Sequence, residues 1–178
     1  MFNQHRKLQT KFRSCCLLLM KYFSIIAFIL FLSFTELSGQ AVQQIDGDGI
    51  AVLSSLSNDT TYVLNFWATW CSPCVKEIAI FEKLHKDKTY PNLKVILVSL
   101  DFVNQIERRV IPFLEEKGIS AQVRIMTDTD YNAWIDRVDP SWTGAIPATL
   151  IYNRDQRTFF EKELTYNELV KQIHQIQN

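Results

Sequence analysis

The stretch Thr61–Phe81, TYVLNFWATWCSPCVKEIAIF, constrains the fold more than any other part of the chain. Tyr62, Val63, Leu64, Phe66 and Trp67 form a near-continuous apolar run, the pattern of a strand over Thr61–Ala68 that is covered on both faces. Val75, Ile78, Ala79, Phe81 and Leu84 then recur at helical spacing and predict a helix over Ser72–Lys86, with Lys76, Glu82, Lys83 and Lys86 on its wet side. The turn between them holds Trp70, Cys71, Ser72, Pro73 and Cys74. Two thiols therefore stand where a helix begins. Unpaired backbone N–H groups and the positive end of the helix dipole favour an anion there, so Cys71 ionises more readily than a free thiol. An accessible, ionised thiol beside a second one is a redox device.

The remaining chain alternates strand and helix. A turn at Asp46–Gly49 leads into a short strand at Ile50–Leu53. Leu93–Leu100 reads as a second buried strand, and Asn104–Lys117 as a helix that Pro112 breaks or kinks near Ile111 before it stops at Gly118. A shorter strand at Ala121–Met126 and a brief helix at Thr129–Val138 follow. The last third reads as a strand at Ala148–Tyr152, a turn at Asn153–Gln156, a strand at Thr158–Leu164 and a closing helix. That helix opens on a capping box, Thr165 with Glu168, and presents Leu169, Ile173 and Ile176 on one face. Alternation implies parallel strands joined by crossovers, while the late pair with its short turn implies an antiparallel hairpin.

The first 39 residues differ from the rest. Arg6, Lys7, Lys11 and Arg13 precede an uncharged run, Tyr22–Phe34, which is short for a membrane span of roughly 20 residues and fits a signal-peptide core of about 7 to 15. Residues 1–39 are expected to be a signal peptide or a membrane anchor, and residues 40–178 the domain. Met20 followed by Lys21 offers a second start, in which case Cys15 and Cys16 are never made. Either leader exports the domain. The whole chain has a formal net charge of +0, but the leader holds five Lys or Arg against one acid, leaving 14 basic and 18 acidic residues, about −4. That balance gives no reason to expect nucleic acid as a partner. Any membrane contact is assigned to the leader alone.

With the leader set aside, Cys71 and Cys74 are the remaining cysteines. A structural zinc site needs about four ligands and would want a second pair. Covalent haem attachment wants His after the second cysteine, where Val75 stands. A structural disulfide remains the plain alternative, and across so few residues it would contribute little loop-closure stabilisation. No cofactor and no metal are expected. His5, His85 and His174 are scattered and form no site.

The segment NFWATWCSPC (Asn65–Cys74), the element order after it, and Ile146-Pro147-Ala148-Thr149 ahead of a strand resemble the thioredoxin superfamily, most closely its exported TlpA- and ResA-like thiol reductases. The resemblance covers roughly residues 50–176. It implies a thioredoxin-like α/β fold, a central mixed β-sheet flanked by helices. It further implies that Cys71 attacks, that Cys74 resolves, and that Pro147 is a cis-proline facing the pair. Trp70, Ser72, Pro73 and Ile146 would then line a substrate groove, with Trp142, Thr143 and Gly144 beside the Pro147 loop. Thioredoxin itself has an aspartate where Asn65 stands, and ResA-like proteins have a glutamate three residues after the second cysteine, here Glu77. At that spacing Glu77 shares a helix face with Cys74 and could take its proton; a solvated first-turn glutamate is the alternative. The sequence departs from the family in reading Pro-Ala-Thr at 147–149 and in placing Ala79 where a proline is common.

The resemblance implies a monomeric, periplasmic or otherwise extracytoplasmic thiol-disulfide oxidoreductase. It would reduce disulfides of other exported proteins, apocytochrome c among them, and be recharged by a membrane thiol electron donor. A disulfide oxidase or isomerase, and a non-enzymatic binding module, are the alternatives.

Overall fold

The computed structural model describes residues 42–177. The expected leader, with Cys15, Cys16 and both candidate starts, lies outside the described residues.

The central strand is β2 (Thr61–Trp67), every residue of which is buried. Parallel to it runs β3 (Leu93–Ser99), then β4 (Gln122–Met126), then a short β1 (Gln43–Ile45); on its other side β5 (Ala148–Tyr152) and β6 (Arg157–Phe160) pair antiparallel. The sheet order is β1-β4-β3-β2-β5-β6. It is the mixed sheet that the alternating pattern and the late hairpin predict.

Side-chain alternation along β2 divides the interior into two cores. Val63 and Trp67 face one layer, where Ile78, Phe81, Leu84, Leu114, Leu169 and Ile173 pack; Tyr62, Leu64 and Phe66 face the other, with Ile50, Trp134, Val138 and Trp142. The first layer is formed by α2 (Ser72–Lys86), α3 (Ile111–Lys117) and α5 (Tyr166–Gln177), and the second by α1 (Gly47–Leu53) and α4 (Ile135–Val138). Burying a Leu, Ile or Phe side chain is worth about 1.5–3 kcal/mol, so a strand covered on both faces is the strongest anchor the sheet has.

Three expectations are corrected, and a fourth takes a more specific form. Ile50–Leu53 is the end of helix α1 and not a strand: the Asp46 carboxylate caps it by accepting from the Gly49 N–H at 2.7 Å, and Ile50 turns inward while Val52 faces solvent. The strand of that region lies earlier, at Gln43–Ile45. The break expected near Ile111 is present as a change of helix type: a 3-10 turn at Val103–Gln105 and a π-turn at Ile106–Val110 precede α3, and Pro112 falls in the first turn of α3, just after the hydrogen-bond register switches. Gly118, at φ 61°, then ends α3 in the left-handed conformation.

Glu82 is not on the wet side of α2 but buried, accepting hydrogen bonds from Ser120 N, Ser120 Oγ and Ala121 N. Finally, the strand expected over Thr158–Leu164 ends at Phe160. Residues 161–164 leave the sheet and cross toward the thiol pair.

Candidate redox site

The tight turn between β2 and α2 brings Cys71 and Cys74 together as a disulfide, with Cα atoms 5.3 Å apart. Cys71 is the N-cap of α2, and its sulfur accepts from the Cys74 N–H at 3.4 Å. Pro73 sits in the first turn, where helices tolerate proline. Cys74 is fully buried, whereas Cys71 retains a small exposed edge. Trp70 is 57% exposed beside the pair, so it is surface and not a packed residue. Ser72 is exposed and Pro73 half-buried.

Facing the pair is the loop that enters β5. The Ile146–Pro147 peptide is cis, Pro147 is buried, and the Ile146 carbonyl oxygen lies 3.7 Å from Cys71 Sγ. Trp142 is buried among Phe66, Trp134 and Phe159, and its indole N–H donates to the Ala145 carbonyl at 2.9 Å. The anticipated neighbours of Cys71, Ile146 and Pro147 among them, are thus brought to one place.

Glu77, one helical turn beyond Cys74, is 2% exposed. It accepts from Asn65 Nδ2 at 2.9 Å through one oxygen and from the Leu164 N–H at 2.8 Å through the other. The solvated alternative for Glu77 is therefore excluded. Burial pushes its acid up to about 7, outweighing the lowering effect of those two hydrogen bonds, and nearby Glu163 adds to the rise. Asn65 also donates to Thr149 Oγ1 at 3.1 Å, while its own Oδ1 meets no donor among the described residues. A group that titrates near neutrality, on the same helix face as a buried thiol, has the properties a proton acceptor needs.

Sequence reasoning missed two contributors. Asp101, at the carboxyl end of β3 and 1% exposed, accepts from Thr69 N at 2.9 Å, Thr69 Oγ1 at 2.6 Å and Ser99 Oγ at 2.8 Å, and so fixes the approach to Cys71. Its place after a parallel strand was the available signal, since open α/β sheets build sites there. The Leu164 N–H had none, because it acts across the fold. Among the described residues no three His, Cys, Asp or Glu side chains come together to hold a metal.

Sheet order, crossovers and a cis-proline opposite a helix-capping thiol pair define the thioredoxin-like class. A thioredoxin-related protein of Neisseria meningitidis serogroup B superposes with a TM-score of 0.56 at 23% identity, covering 70% of this chain and 89% of that one. A thiol:disulfide interchange protein of Chlorobium tepidum superposes with a TM-score of 0.56 at 20% identity, covering 78% and 92%. Residues 36–157 match the AhpC/TSA family, and the chain belongs to it. By sequence it is 32% identical over 106 residues to the thioredoxin-like protein YneN of Bacillus subtilis, covering 53% of this chain and 56% of that protein. It is 26% identical over 120 residues to the thiol-disulfide oxidoreductase ResA of Halalkalibacterium halodurans, covering 66% and 56%. The match thus spans a little over half the length of these curated relatives.

Proposed function

We propose that the domain is a thiol-disulfide oxidoreductase that reduces disulfides of other proteins outside the cytoplasm. The observation that carries this reading is the Cys71–Cys74 disulfide at the start of α2, with Glu77 buried one turn on and Ile146 opposite. The name of the Halalkalibacterium relative supports the activity.

In the reduced protein the Cys71 thiolate attacks one sulfur of a substrate disulfide. The S–S bond breaks, one substrate sulfur leaves as a thiolate, and the other is held on Cys71 as a mixed disulfide. Cys74 then passes its proton to Glu77 and attacks Cys71 Sγ, which releases the second substrate thiol and closes the Cys71–Cys74 disulfide. Two electrons have passed to the substrate. Glu77, with an acid near 7, is available as a carboxylate near neutral pH to take the proton and becomes neutral on doing so. The Ile146 edge, with Pro147 and the surface of Trp70, Ser72 and Pro73, receives the extended chain around the attacked bond.

Export rests on the basic, apolar leader. In an oxidising compartment the dithiol must be regenerated, which calls for a thiol electron donor in the membrane; apocytochrome c is one substrate of the expected kind. Among the described residues no helix is long and apolar enough to cross a membrane. The test is a Cys74→Ser chain expressed in cells: it should accumulate mixed disulfides between Cys71 and exported proteins, which identify the substrates. Absence of any adduct, together with no reductase turnover by the purified wild type, overturns the proposal.

A further inference from the structure

The loop that carries Ile146 has no regular structure between the end of α4 and the start of β5, yet its last peptides are held from two sides. Gly144, at φ 93°, turns the chain so that the N–H groups of Thr143 and Ala145 both point at one side chain, Glu161. One carboxylate oxygen accepts from the Ala145 N–H at 2.8 Å and from the Thr143 hydroxyl at 2.5 Å, and the other accepts from the Thr143 N–H at 3.2 Å. The Ala145 peptide is pinned again at its carbonyl by the Trp142 indole, at 2.9 Å.

The next carbonyl along the chain is that of Ile146, the one facing Cys71 Sγ. Behind it, Pro147 has no N–H to donate, and the sheet takes over only at Ala148, which pairs with Phe66. The Ile146 peptide is therefore suspended between the sheet and the Glu161 clamp. A carboxylate suits this place because it offers two acceptors at once, and the donors it meets hold its acid below the usual range although its partial burial works the other way.

Strand β6 ends at Phe160, just before Glu161. Residues 161–164 turn off the sheet edge so that Glu161 reaches the loop and the Leu164 N–H reaches Glu77. One short segment thus braces both the groove edge and the buried acid.

We propose that Glu161 is a positioning residue for substrate capture: it holds the Ile146 edge in the shape that receives the extended peptide flanking the attacked disulfide, and leaves the thiol chemistry itself unchanged. This rests on the reductase reading above. A small disulfide that makes no use of the groove should then be indifferent to Glu161, while a peptide disulfide should not.

The experiment compares the full chain as wild type, Glu161→Ala and Glu161→Gln, reducing either a disulfide-bridged extended peptide or 2-hydroxyethyl disulfide. Glu161→Ala should raise KM for the peptide by about tenfold with kcat nearly unchanged, the loss expected when binding contacts are weakened and chemistry is not. Its rate constant on 2-hydroxyethyl disulfide should stay within about twofold of wild type. Glu161→Gln, which keeps one acceptor oxygen, should fall between. Should Glu161→Ala fail to fold, the same comparison is made with Glu161→Gln, which preserves the length of the side chain. Equal losses on both disulfides, or no loss on either, in an active wild-type background overturn the inference alone. A wild type inactive on both overturns the reductase reading and this inference together.

Discussion

The Asn65 amide donates to the Glu77 carboxylate across 2.9 Å, with both side chains out of contact with solvent. Asn65 stands on β2 and Glu77 on α2, so the contact ties the central strand to the helix that carries the thiol pair. The proton-accepting role proposed for Glu77 is therefore built on a pair, one member of which cannot titrate.

That arrangement sets a pH dependence. Glu77 is held at about 7 in the folded protein against an ordinary 4.5, so the unfolded chain releases this proton first. Its contribution to stability is complete below about pH 4.5 and is lost as pH rises through about 7, a fall on the order of 3 kcal/mol. Glu77→Gln should remove this slope in urea denaturation carried out at about pH 5 and about pH 8. The same variant should slow thiol-disulfide exchange near neutral pH by about ten- to a hundredfold, the usual scale for losing a general base.

Asp101 should matter for both stability and reactivity. Asp101→Ala leaves the Thr69 N–H and the Ser99 and Thr69 hydroxyls without their acceptor, a loss of about 2–4 kcal/mol for buried groups. Because Thr69 lies just before the turn, the variant should also change the rate at which reduced Cys71 is alkylated by iodoacetamide. An unchanged rate would confine Asp101 to stability.

Glu82 behaves in the opposite sense to Glu77. Burial alone would raise its acid, but Lys86 at 2.7 Å, the Ser120 hydroxyl and the N–H groups of Ala121 and Ser120 outweigh it and bring it down to about 2. Its contribution is therefore present above about pH 4.5 and lost as pH falls toward 2. Glu82→Gln should cost about 1–3 kcal/mol at neutral pH and flatten the acid limb of the stability curve. Chemical denaturation across that range measures both.

How far the sequence could be read depends on the distance over which each residue acts. β2 and α2 were legible because a strand buried on both faces and a helix of period 3.6 leave strong local patterns, and the Cys74–Glu77 spacing places both on one face. Ile50, Val52 and Leu53 are too few for period to separate strand from helix, and the Asp46 cap that decides it was read only as a turn. Pro112 marks the break near Ile111, but the π-turn that precedes it has no sequence signature. Glu82, Asp101 and Glu161 find partners 38, 32 and 16 residues away, and nothing local to each marks the contact. Burial raises the acid of Glu77, and its Leu164 partner, which lowers it, lies 87 residues on; neither is marked in the local sequence.

Reaction of the reduced chain with a peptide disulfide, followed by intact mass, tests the central claim most directly. Wild type should convert the peptide to two thiols while its own mass falls by two hydrogens; Cys74→Ser should stop as a peptide adduct on Cys71; Cys71→Ser should do neither. A wild type that leaves the peptide oxidised, or an adduct that forms equally well without Cys71, would contradict it.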